Sequence, residues 1–194
     1  MKMITVLPLV LAVSLFLAAC GGQQAVTVSD PADGGSSVSE SETAGMQVIG
    51  TAESGYIMVP GDWLEFEDSS GVAGLQYANP AGTSIITLDV FDLSDLTEEQ
   101  SASFTVEDAA NNVWYNLEQS GVGEIRGATV SLAGYDAHEV YGYFMSEDHD
   151  LPSAIVCWIF QDRAGTLHYV SAEAAVEDLP VVSGYIEETY MLEQ

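Results

Sequence analysis

"SAIVCWIFQDRAGTLHYVSAEA", Ser153 to Ala174, holds two apolar runs joined by a short polar break. Each run is rich in β-branched and aromatic residues and about strand length, and Asp162-Arg163-Ala164-Gly165 between them reads as a turn. The stretch is therefore expected to form a long antiparallel hairpin. With those four residues as the turn, Val156, Trp158 and Phe160 share a face with Leu167 and Tyr169. Ile155, Cys157 and Ile159 then share the other face with His168, Val170 and Ala172. Both faces are apolar. An antiparallel sheet with one wet side shows alternation instead, so this sheet is expected to be covered on both sides by helices or loops. The fold class that follows is α+β: an antiparallel β-sheet with helices packed on its faces.

Upstream, residues 123–131 and 134–146 are also β-rich, separated by Ala133-Gly134 and followed by the acidic break "SEDHDLP". Together with 153–162 and 165–174 they predict a four-stranded meander. Earlier still come short strand-like pieces: "GYIMVP" (55–60), "WLEFED" (63–68), "LQYAN" and "TSIITLDVF", the last two split by Asn79-Pro80-Ala81-Gly82. Between these and the meander lies one clear helix. Thr105 can cap it, Glu107 and Asp108 fall in the first turn beside the positive end of the dipole, and Gly121 ends it. Val106, Ala109, Ala110, Val113, Trp114 and Leu117 make one apolar stripe along it. Thr97-Glu98-Glu99-Gln100 has the form of a capping box for a shorter helix. A helix near 177–187 and a final strand "ETYML" complete the expected domain.

The first nineteen residues have a different character. Lys2 precedes an apolar run from Ile4 to Ala19, shorter than the roughly 20 residues of a comfortable membrane span. A charged start, a short apolar stretch and small residues at its end describe a secretory signal peptide. Leu17-Ala18-Ala19-Cys20 is similar to the lipobox of bacterial lipoproteins, which implies cleavage before Cys20 and a lipid on its sulfur. Residues 20–45 are dominated by Gly, Ser, Thr, Asp and Glu and contain no aromatic residue. Such a segment buries too little apolar surface to offset the entropy of ordering. The expected organisation is a signal peptide at 1–19, a lipidated cysteine and acidic linker at 20–45, and one domain at 46–194. The expected location is extracytoplasmic, lipid-anchored to the bacterial cell membrane.

Charge narrows the function further. The chain carries 30 acidic residues against three basic ones, a net charge of −27. Once the leader with Lys2 is removed, Arg126 and Arg163 are the remaining basic side chains. Such a chain has no basic patch for nucleic acid and no lysine for a Schiff base or a phosphate loop. Cys157 then stands alone in an apolar run, so no intramolecular disulfide is expected, and a reactive thiolate would need a cationic neighbour that the chain hardly offers.

The order of several motifs resembles the PsbP-like superfamily, whose members are antiparallel sheets sandwiched between helices. "GYIMVPGDW" matches that family's strand followed by Pro-x-x-Trp, here Pro60 and Trp63. The helix Val106–Gln119 matches its mid-domain helix. "LAGYDAHEVYGYF" matches its Gly-x-x-Ala strand, and "SGYIEETYML" its closing helix and Ser/Thr-aromatic strand. The resemblance implies an α/β/α sandwich and a binding or scaffolding role, and it brings no catalytic residue with it.

Three sets of candidate site residues stand out. With strands 134–146, 153–162 and 165–174 paired in order, Asp136, His138 and His168 come to one face, a donor set suited to a transition metal; ordinary hydrogen-bonded histidines are the other reading. Glu147, Asp148, His149 and Asp150 can offer oxygen ligands to a divalent cation such as Ca²⁺, or simply form a solvated acidic turn. Trp63, Tyr77, Trp114, Tyr115, Tyr135, Tyr141 and Tyr143 can line a binding groove or lie in the core. No standard nucleophile, metalloprotease or phosphate-loop motif is present and no cofactor is implied. The function expected is non-catalytic binding of an envelope protein or small ligand. Divalent-metal binding and an enzyme without a recognised motif are the alternatives.

Overall fold

The computed structural model describes residues 45–66 and 74–193. The expected signal peptide, Cys20 and the expected linker as far as residue 44 lie outside the described residues. The chain opens with a hairpin of β1 (Met46–Thr51) and β2 (Gly55–Pro60) that forms its own two-stranded sheet. Then follow β3 (Leu64–Phe66), β4 (Leu75–Ala78) and β5 (Ser84–Val90), and two helices, α1 (Glu98–Ser103) and α2 (Val106–Gln119). The expected meander is next: β6 (Gly123–Leu132), β7 (Tyr135–Ser146), β8 (Leu151–Gln161) and β9 (Leu167–Ala175). Helix α3 (Leu179–Thr189) ends the domain. The main sheet is antiparallel throughout, with strand order β3-β4-β5-β9-β8-β7-β6.

Both faces of this sheet are covered, as the apolar hairpin requires. On one side α2 lays Ala109, Ala110, Val113 and Leu117 over Val140, Ile155, Cys157 and Ile159. On the other, α3 contributes Val182 and Ile186, and the β1–β2 hairpin contributes Ile49, Ile57 and Val59, to a core with Trp158, Phe160 and Val170. The structure is the α+β class expected.

Local chemistry explains α2 at both ends. Thr105 Oγ1 accepts from the Asp108 N–H at 3.1 Å, and the Asp108 carboxylate accepts from the Thr105 N–H at 2.9 Å. At the other end Gly121 adopts φ +84°, the Val122 N–H reaches the Leu117 carbonyl and the Gly121 N–H reaches that of Glu118. That pair of bonds is a Schellman closure, which needs a left-handed residue where glycine stands. Helix α1 carries the Thr97–Gln100 capping box seen in the sequence.

Two expectations change. The turn of the β8–β9 hairpin holds three residues, 163–165, rather than four. Gly165 sits at φ +92°, its N–H bonds to the Asp162 carbonyl, and the Asp162 N–H bonds to the Thr166 carbonyl. The Asp162 carboxylate fixes this loop by accepting from the Ala164 and Thr166 N–H groups, both at 2.8 Å. Phe160 therefore pairs with His168, and Trp158 with Val170. Because side chains alternate with a period of two, that one-residue difference turns all of β9 over relative to β8. Val156, Trp158 and Phe160 share their face with His168, Val170 and Ala172, whereas Cys157 and Ile159 share theirs with Tyr169 and Ser171.

The second change is at the C-terminus. The expected strand "ETYML" is replaced by the end of α3, followed by one bridge between Met191 and Tyr56. Thr189 stays helical and its hydroxyl accepts from the Met58 N–H at 2.9 Å, tying α3 to β2. Strand β1 had no counterpart in the sequence reading.

Candidate functional site

A cleft of 330 Å³ opens between α2 and the β6–β7 edge of the sheet. Its helical wall is Glu107, Ala110, Asn111 and Trp114, spaced i, i+3, i+4, i+7, which shares Ala110 with the buried stripe of the same helix and otherwise lies beside it. Its sheet wall is two cross-strand pairs, Thr129 with His138 and Gly127 with Val140. Paired residues on antiparallel strands point to the same face, and this face is the one α2 covers.

Gly127 has a specific part in the cleft. A Cβ built there would lie 3.5 Å from Trp114 Cζ3, so the indole lies against the strand where a side chain is missing. Trp114 is half-buried, packs against the α2 core, and donates from Nε1 to Glu118 at 3.0 Å. Around it are an exposed carboxylate (Glu107), an exposed amide (Asn111), a hydroxyl (Thr129) and the half-buried imidazole of His138. Neither arginine is present there. Arg126 pairs with Tyr141 and so faces the opposite side of the sheet, and Arg163 is in the β8–β9 turn.

The structure separates the candidate metal set. His138 pairs with Ile159 on the α2 face. His168 pairs with Phe160 on the α3 face and stacks on it with ring centroids 5.0 Å apart. The two histidines lie on opposite sides of the sheet because of the three-residue turn, and Asp136 is exposed at the far end of β7. His168 is buried to 2% exposure, and its Nε2 lies 3.4 Å from the Asp162 carboxylate. Desolvation lowers the His168 pKa, and Asp162 partly opposes that. In the second set, Asp148 and Asp150 are exposed in the β7–β8 turn, and His149 Nε2 lies 3.1 Å from the Gly82 carbonyl oxygen. Among the described residues no three His, Cys, Asp or Glu side chains gather into a group that could hold a metal ion.

The aromatic candidates also divide. Trp63 is core, packed edge-on to Tyr185. Tyr135 and Tyr141 pack half-buried against the α3-side core, and Tyr115 and Tyr143 are exposed. Trp114 alone of this set lines the cleft.

Sequence reasoning missed Glu107, Asn111, Gly127 and Thr129 as a group; the helical spacing of Glu107, Asn111 and Trp114 was the available signal. It also missed a half-buried, desolvated carboxylate. Glu173 sits in β9 between Ile85 and Ile155 on the α2 side of the sheet, and desolvation raises its pKa to about 7. Asp89, on the same face of β5, is raised to about 6, chiefly by desolvation. Cys157 is fully buried, 3.4 Å from the Tyr169 hydroxyl, and burial pushes its thiol up to about 12. That is the reverse of what nucleophilic activation requires.

No protein-family model matches this sequence, and no curated protein matches it. Among solved structures, one from Bacteroides thetaiotaomicron VPI-5482 is 16% identical, with a TM-score of 0.48 over 78% of this chain; the chain spans only 49% of that protein's length. LpqN of Mycobacterium tuberculosis, described as involved in cell envelope biogenesis, is 14% identical at a TM-score of 0.42, covering 78% of this chain and 86% of that one. A Pseudomonas aeruginosa protein of unknown function, PA94, is 12% identical at a TM-score of 0.36, covering 70% and 87%.

Proposed function

We propose that this chain is a lipid-anchored extracytoplasmic binding protein, non-catalytic, whose α2/β6–β7 cleft receives its partner. The observation that carries the reading is the cleft itself, which sets the Trp114 ring in one lining with the polar side chains of Glu107, Asn111, Thr129 and His138, the usual make-up of a binding site. The Leu17–Cys20 motif supports the anchor. The deep burial of Cys157 speaks against covalent catalysis by that thiol. Helices on both faces of an antiparallel sheet, with Pro60 and Trp63 closing β2, are in keeping with a PsbP-like domain. The partner in this reading is an envelope protein or a small ligand.

The test is photo-cross-linking in the native membrane fraction. A photoreactive residue replaces Asn111 in the cleft, or Glu98 on α1 as a control. A discrete adduct from position 111 alone is the expected result. Equal labelling from both positions, or none from 111, overturns the cleft as the binding site. The Cys20→Ala variant, expected in the soluble fraction, checks the anchor independently.

A further inference from the structure

The two edges of the main sheet are built differently. At one end, β3 carries Glu65 at the middle of its described residues, a charged edge. At the other, β6 is ten residues long, and no backbone group among the described residues pairs with its outer side. A bulge between Gly123 and Arg126, with Glu124 at φ +51°, interrupts only its start. From Gly127 to Leu132 the register with β7 is continuous and the sequence is Gly-Ala-Thr-Val-Ser-Leu. Edges are normally protected by lysine, proline, an inward charge or a bulge, and these six residues have none, in a chain with 30 acidic side chains to spend.

The same strand forms one wall of the cleft. A strand added beside β6 would run about 4.8 Å beyond it, with alternate side chains at the cleft mouth near Glu107, Trp114 and Thr129. The carboxylate in the cleft lining from α2 is Glu107, the Trp114 indole lies two turns further along the helix with its Nε1 on a second carboxylate, Glu118, and Arg126 faces the other side of the sheet. A long cationic side chain fits the ring and Glu107, its methylenes on the one and its head toward the other. The net charge of −27 would steer such a segment in and repel an acidic one.

We infer that β6 docks an extended segment of a partner protein by strand addition along Gly127–Leu132, with a Lys or Arg of that segment seated in the cleft between Glu107 and Trp114. This rests on the proposed binding role and names the partner's chemistry. The experiment uses the full-length lipidated protein in nanodiscs. The probes are two fluorescent heptapeptide pools, Val or Thr at six positions and either Lys or Glu fixed at the fourth. The Lys pool is expected to bind at least tenfold more tightly, to lose affinity with added salt, and to slow amide exchange in residues 127–132. Glu107→Gln should weaken it several-fold, while Glu98→Gln, the same charge change on α1, should not. Equal binding of the pools, protection confined to other strands, or no binding at millimolar peptide overturns the inference. So does a concentration-dependent dimer that protects β6 without peptide, since the occupant is then a second copy. A cross-link from position 111 together with failure of both pools leaves the cleft as the binding site and removes strand addition alone.

Discussion

Glu173→Gln should stabilise this protein at neutral and alkaline pH and do little below pH 4.5. Glu173 lies between Ile85 and Ile155 on the sheet face, and burial raises its pKa from 4.5 to about 7. A folded-state pKa above the unfolded one means the native protein binds the proton more tightly. Its contribution to stability is therefore full below pH 4.5, falls as pH rises from 4.5 to 7, and is lost above that window. At 1.36 kcal/mol per unit, the ionised form costs about 3 kcal/mol. The amide mimics the protonated carboxyl and carries no charge at any pH. Urea titrations of both proteins should give a gap that grows from about 1 kcal/mol at pH 5 to about 3 kcal/mol at pH 8, the latter roughly 6–12 °C in Tm for a domain of this size. Asp89, raised to about 6, and the overall negative charge also weaken the wild type as pH rises, but both act on the two proteins alike. Salt separates the causes, because added NaCl screens surface repulsion and leaves the desolvation of Glu173 in place. A stability difference that does not change between pH 5 and pH 8 would refute the burial argument.

Three further outcomes follow from local geometry. Gly121→Ala should lower stability by about 1–2 kcal/mol because the helix cap needs φ +84°, and Gly121→Asn by less; the space around Gly121 is open, so thermal melts read the backbone cost alone. Cys157 should resist a thiol reagent such as DTNB in the native state and react stoichiometrically in urea, since its thiol is buried with a pKa of about 12; rapid native labelling would contradict its placement. Asp162→Ala removes the acceptor for two backbone N–H groups and the partner of His168, and should cost about 1–3 kcal/mol in a urea titration, with Asp162→Asn retaining part of it.

What the sequence made legible was whatever a single segment decides for itself. Helix α2 has its apolar period, its Thr105 cap and its Gly121 stop within seventeen residues, and all three are used as expected. The meander and its two covered faces follow from composition along single strands. What escaped was set by one residue acting on another strand. The β8–β9 turn is three residues long because the Asp162 carboxylate holds two N–H groups and Gly165 takes the left-handed position. A four-residue reading of the same letters puts His168 on the same sheet face as His138, two strands away, and the real one puts the sheet between them.

The cleft depends on a similar detail at β6. Before the bulge Gly123 pairs with Tyr143; after it Arg126 pairs with Tyr141, a shift of one residue. Had the first register continued, Ala128 and Val130 would stand on the His138 face and Thr129 would face away from α2. Gly127 would turn away with it, and the Trp114 ring would meet a side chain where it now meets bare backbone. The residue that makes the shift, Glu124 at φ +51°, is not a type that announces a left-handed conformation. A pattern read along β6 alone therefore cannot choose which of its faces meets α2. The choice is made by the bulge, and with it the pairing of Thr129 with His138 on which the proposed binding site stands.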